Sequence, residues 1–155
     1  LLATELPLAS MTVTIQKELA DRMMASPRTK DYGALSIWIQ SQCEVELVRT
    51  MSPSVFWPRP KVESAIIHIT VRPEWQQRIP DRAFFHQFNR SLFFHRRKFL
   101  RSVVISAMKN KLDKAAVDEV LTSQGMAANA RAEELDITAV MALSEAFRQR
   151  LANDD

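Results

Sequence analysis

Apolar and polar residues repeat with two different periods along this chain, and the period changes near residue 72. In the first part the pattern is mixed. Residues 11–16 (MTVTIQ) alternate β-branched and polar side chains, which predicts a half-buried strand. Residues 18–25 (ELADRMMA) read as a short helix stopped by Ser26-Pro27. Within 33–42, Ala34, Leu35, Trp38 and Ile39 keep the helical spacing. Residues 44–49 (EVELVR) alternate again, and 65–71 (AIIHITV) form a third strand-like run. Residues 1–10 read as a helix end running into a loop at Pro7.

Beyond residue 72 only the helical period remains. Pro73 and Pro80 bracket a polar linker over 73–81. Asp81 predicts an N-cap for a helix over 82–95, with Phe84, Phe85, Phe88, Leu92 and Phe93 at helical spacing. Phe99, Leu100, Val103, Val104 and Met108 predict that helix continues over 96–110. Asp113 caps an expected helix over 114–124, with Gly125 as its stop. Residues 131–135 suggest a helical turn, and Asp136 a cap for a last helix over 137–151. The expected organisation is an α/β part over 1–72, a linker over 73–80 and an all-helical part over 81–155. Three strands make a poor free-standing core, and the chain opens Leu-Leu without Met. Both features predict a fragment of a longer protein whose N-terminal part is missing.

Composition narrows the class. Of 155 residues, 46% are hydrophobic and 25% charged, a globular balance. No apolar run reaches the length of a membrane span, and nothing at the start reads as a signal peptide. One cysteine, Cys43, excludes an intrachain disulfide and points to a reducing compartment, the cytoplasm. The only glycines, Gly33 and Gly125, are far apart, so the chain holds no Gly-rich phosphate loop. The net charge of +3 hides an asymmetry. Residues 82–114 carry nine Lys/Arg against one acid, Asp113, whereas 115–155 carry three against eight. A basic block is often only a solvated face. Here aromatics are interleaved with it, which favours a polyanion such as nucleic acid.

Candidate chemistry concentrates in two stretches. Residues 53–64 (PSVFWPRPKVES) place Phe56 and Trp57 in a loop stiffened by Pro53, Pro58 and Pro60, with Arg59 and Lys61 between and beyond the prolines. Phe56 suits two roles: stacking on a base drawn out of its helix, or plugging the core. Residues 91–101 (SLFFHRRKFLR) would, on a helix, set Arg97 and Arg101 at i and i+4 as a cationic stripe beside Lys98, with Phe93, Phe99 and Leu100 facing inward. A membrane-surface or protein-docking helix is the competing reading of that stripe. His68, His86 and His95 are scattered, Cys43 has no ligand-spaced neighbour, and no metal site or catalytic triad is suggested.

Three segments together resemble a known family: VTIQKELADRMMASPRTKDYGALSIWIQ, MSPSVFWPRPKVESAI and LFFHRRKFLR. They are similar to the ribosomal small-subunit RNA adenine dimethyltransferases of the kasugamycin-resistance type, relatives of the erythromycin-resistance methylases. FxPxPKVxS combined with FxxRRKxLR at this separation is the specific part. Met51-Ser52-Pro53 stands where the family usually has Pro-Pro. The resemblance implies the C-terminal part of a Rossmann-like S-adenosylmethionine-dependent methyltransferase sheet over 1–72, then a small helical RNA-binding domain over 81–155. It implies that the intact protein dimethylates N6 of two adjacent adenosines in small-subunit rRNA, on the assembling small ribosomal subunit; a monomer in the cytoplasm is expected. The family's Gly-rich cofactor loop and Asn-(Leu/Ile)-Pro-(Tyr/Phe) loop do not occur in this sequence, so the chain alone is expected to be inactive. By resemblance Phe56 stacks on the target adenine, and Arg59, Lys61, Arg96, Arg97, Lys98 and Arg101 contact the RNA backbone. A non-enzymatic RNA-binding or ribosome-assembly module of the same fold is the alternative, as in mitochondrial transcription-factor relatives.

Overall fold

A computed structural model describes residues 7–154. The helix end read in residues 1–10 lies outside the described residues for residues 1–6. The three expected strands form: β1 (Ser10–Gln16), β2 (Cys43–Met51) and β3 (Ser64–Val71). They make one antiparallel sheet in the order β1-β3-β2, with β3 in the middle.

Alternation gives this sheet two unlike faces. Val13 and Leu47 both lie opposite Ile67 in the register, and Ala65, Ile67 and Ile69 are buried with Ala20, Ile39 and Cys43. Thr12, His68 and Glu46 share the opposite face, where Thr12 Oγ1 lies 2.8 Å from His68 Nδ1. One apolar face needs one covering layer. It is supplied by α1 (Lys17–Met24) and α2 (Ala34–Gln40), which pack on each other and on β2. The register shifts between Leu47 and Arg49, and Leu47 and Val48 are exposed.

The helical part contains α4 (Arg82–Phe94), α5 (Leu100–Ala107), α6 (Lys114–Ser123) and α7 (Ile137–Asp154). Three aspartates start three of them as expected. Asp81, Asp113 and Asp136 accept from the backbone N–H of Phe84, Ala116 and Ala139 at 2.9, 2.8 and 2.7 Å, each cap contributing about 1 kcal/mol. Gly125 ends α6 in the left-handed region at φ 66°, where a side chain would be strained. Phe85, Phe88, Leu92, Leu100, Val104 and Phe147 bury together. That cluster also takes Tyr32 and Ile37 from the first part of the chain. Tyr32 is 1% exposed, and its hydroxyl donates to the Leu135 carbonyl at 2.7 Å. Burial raises the Tyr32 phenol well above its ordinary pKa.

Two expectations change. The polar linker carries a one-turn helix, α3 (Pro73–Gln76), and buries Ile79. More importantly, the helix expected over 96–110 does not run from residue 96. α4 stops at Phe94, residues 95–99 turn, and α5 begins at Leu100. The cause lies in the backbone bonds. Leu100 N–H donates to the Ala130 carbonyl at 2.7 Å, and Phe99 bridges to Arg131. Tertiary partners take groups that a continuous helix would satisfy internally.

Candidate nucleic-acid interface

The loop between β2 and β3 starts with a 3-10 turn over Pro53–Val55, where the Ser52 hydroxyl accepts from Ser54 N–H at 3.4 Å. The peptide bond between Trp57 and Pro58 is cis. At the exit, Lys17 N–H donates to the Glu63 carbonyl at 3.0 Å and ties the loop to the start of α1. Phe56 is half-buried and, among the described residues, belongs to neither apolar cluster. Trp57 beside it is 96% exposed. Among the described residues, neither Arg59 nor Lys61 makes an ion pair, and both are exposed in the same loop.

The second basic stretch is different. The expected i, i+4 stripe of Arg97 and Arg101 is absent, because Arg97 lies in the turn and Arg101 in α5. Arg96 is inserted between parts of the fold: its Nε donates to Glu133 Oε2 at 3.0 Å and its Nη1 to the Lys30 carbonyl at 2.7 Å. Arg101 forms a bidentate pair with Asp118 at 2.6 and 2.8 Å, which holds the Asp118 carboxyl below its ordinary range. Only Arg97 and Lys98 of this run are exposed and without an ion pair among the described residues. Leu100 faces inward as expected and Phe93 is half-buried, but Phe99 is 49% exposed, with the Arg131 guanidinium 5.7 Å from its ring centre.

Arg90 was not among the residues singled out from sequence. It lies on α4 and joins Lys98 in lining a groove of about 530 Å³ between α4 and α5. The available signal was the four-residue spacing of His86, Arg90 and Phe94 along one helix. His86 itself packs on Trp38, ring centres 4.6 Å apart. Cys43 is buried, and burial pushes its thiol up, which suits a core position rather than a nucleophile. Among the described residues no three His, Cys, Asp or Glu gather to hold a metal ion, and no helix is long and apolar enough to cross a membrane. Gly33 and Gly125 serve the start of α2 and the end of α6.

Known proteins match this architecture throughout. The family model for ribosomal RNA adenine dimethylase matches residues 1–149. Ribosomal RNA small subunit methyltransferase A of Halothermothrix orenii is 37% identical over 155 residues, covering 100% of this chain and 52% of the relative. The protein of the same name from a Geobacillus species is 40% identical over 152 residues, 97% of this chain and 52% of its own. The chain thus spans about half the length of these relatives. Among solved structures, a dimethyladenosine transferase from Plasmodium falciparum superimposes with a TM-score of 0.84 at 22% identity, over 96% of this chain and 60% of that one. The 23S rRNA methyltransferase ErmE superimposes with a TM-score of 0.54 at 21% identity, over 94% and 57%. At these identities the two structures speak for the fold: a small sheet with helices, followed by a helical part. The family match runs over nearly all of the sequence, through both basic stretches, and the chain belongs to the ribosomal RNA adenine dimethylase family.

Proposed function

We propose that this chain is the RNA side of a small-subunit rRNA adenine dimethyltransferase. The intact protein transfers methyl groups from S-adenosylmethionine to N6 of two adjacent adenosines. Residues 1–72 are the last part of its Rossmann-like catalytic domain, 73–80 the link, and 81–155 the RNA-binding helical domain. The observation that carries this reading is the family match over 1–149 together with an intact aromatic loop whose Phe56 lies outside both cores. The methyl donor is held by residues beyond those of this chain.

The chemistry explains why such a loop is useful. The lone pair of an adenine amine is delocalised into the ring, so it is a weak nucleophile. Transfer demands that the ring be held in one plane and one orientation. Phe56 supplies a face for that purpose, and stacking of a base on an aromatic ring contributes about 1–3 kcal/mol. Orientation of the reacting groups contributes on the order of 7–11 kcal/mol at best. Arg59, Lys61, Arg97 and Lys98 hold the RNA backbone and set register rather than read bases. Arg96 and Arg101, which also match the family's basic motif, act by fixing the turn through Glu133 and Asp118.

The deciding experiment is methyl transfer from labelled S-adenosylmethionine to assembled small ribosomal subunits. The intact protein is expected to label paired adenosines, and residues 1–155 alone to label none. Binding to subunits with no labelling by the intact protein overturns the enzymatic reading in favour of a binding module.

A further inference from the structure

The groove between α4 and α5 has a simple origin. On α4, His86, Arg90 and Phe94 recur every four residues and so stand in one row along the helix. Opposite them α5 offers only Ser102, Ser106 and Ala107 above a floor of Val103. Long side chains facing short ones leave a gap, about 530 Å³, within the range of sites that take small organic ligands. Phe94 at its edge is 81% exposed, touched edge-on by the His95 ring at 4.8 Å. The ring thus presents an open aromatic face at the rim of the groove.

The lining also has one sign of charge. Arg90 and Lys98 both contribute, no carboxylate does, and neither cation makes an ion pair among the described residues. Nearby Arg96 and Arg101, by contrast, are held by protein acids. An open aromatic face, two cations without an ion pair among the described residues, and the hydroxyls of Ser91, Ser102 and Ser106 match the parts of a nucleotide: a flat base, a phosphate, and polar edges on base and ribose.

We propose that this groove seats one unstacked nucleotide of single-stranded RNA, its base on Phe94 and its phosphates on Arg90 and Lys98. The proposal rests on the reading of this chain as the RNA side of the enzyme. It adds a second nucleotide seat, separate from the loop of Phe56 and placed in the helical part. The substrate is then gripped at an extruded target base and again at an unpaired nucleotide elsewhere.

The test uses the intact protein and a fluorescein-labelled single-stranded RNA hexamer, with hexaglutamate as a competing probe. Phe94→Leu keeps apolar bulk and removes the stacking face. It is expected to weaken hexamer binding about tenfold. Ser106→Phe fills the groove from the other side and is expected to weaken it similarly. Arg90→Gln is expected to lower the salt slope of binding by about 0.7, the value for one single-strand phosphate. Circular dichroism checks that each variant is folded, and because the two groove variants lie on different helices, a folding failure of one leaves the other decisive. Unchanged hexamer affinity in a folded groove variant overturns the seat. So does equal competition by hexaglutamate that depends on Arg90 but not on Phe94, since that marks a docking face for an acidic protein. Methyl transfer to small subunits by the unmodified protein is measured in parallel. If it is present while the seat fails, only the seat is wrong; if it is absent, the enzymatic reading fails as well.

Discussion

The loop over residues 52–63 and the turn over residues 95–99 look alike as sequence, each a mixture of aromatics and cations. As structures they are opposites. The loop is stiffened by its own prolines and tied at its exit by one backbone bond, and among the described residues Arg59 and Lys61 make no ion pair. The turn has no proline. It is held by Arg96 reaching Glu133 and the Lys30 carbonyl, and by Leu100 N–H on Ala130. Within the second basic run, structure divides the cations into Arg96 and Arg101, which pair with protein acids, and Arg97 and Lys98, which make no ion pair among the described residues. A count of positive residues therefore overstates the charge available to a polyanion, and pairing geometry decides what remains.

That contrast can be broken most forcefully at Phe56. In the intact protein Phe56→Ala is expected to lower methyl transfer about 10- to 100-fold, the equivalent of one lost stacking contact, with the melting temperature nearly unchanged. A parallel fall in stability and activity would return Phe56 to the core. Next in size, Arg97→Ala with Lys98→Ala should reduce the salt slope of rRNA binding by about 1–2 units, at about 0.7–0.9 per phosphate contact, again without loss of stability. Arg96→Ala should do the reverse. It removes a charged hydrogen-bond pair that is partly open to solvent, which is expected to cost about 1 kcal/mol in denaturant unfolding and to leave the intrinsic slope alone. If Arg96→Ala instead changed only the slope, the division between holding and binding cations would collapse.

The smallest effect is expected at Arg101→Gln, and it depends on pH. Asp118 is depressed by Arg101 in the folded protein. A carboxyl with a lowered folded value adds stability above its unfolded value, about 3.9, and loses it as pH falls through the folded one. The stability gap between Arg101→Gln and the unmodified chain should therefore be small near neutrality and close on acidification below pH ~4. Thermal melts across that range measure it, and a gap that widened toward acid would mean Asp118 is not the partner that matters.

Much of the fold was legible because its signals are local. Strand alternation in MTVTIQ and AIIHITV, and the three aspartate caps, need only near neighbours to operate. The break at 95–99 was not legible. Phe99, Leu100 and Val103 keep helical spacing across it, and the groups that redirect the backbone, Ala130 and Arg131, lie some thirty residues away. The candidate site divides in the same way. The proline-stiffened loop is written in its own residues. Which arginines are committed depends on Lys30, Asp118 and Glu133, whose proximity no spacing rule reveals.

Helix α2 carries one more consequence. Its Ile37 is buried in the helical cluster, its Ile39 in the sheet cluster, and Trp38 between them packs against both. Seven residues thus act as a shared rivet. The two halves should melt in a single calorimetric transition, and amides of α2 should exchange with solvent only on global opening. Any motion that swung the helical part against the sheet would first have to pull that rivet, so the two parts present one surface already locked in register.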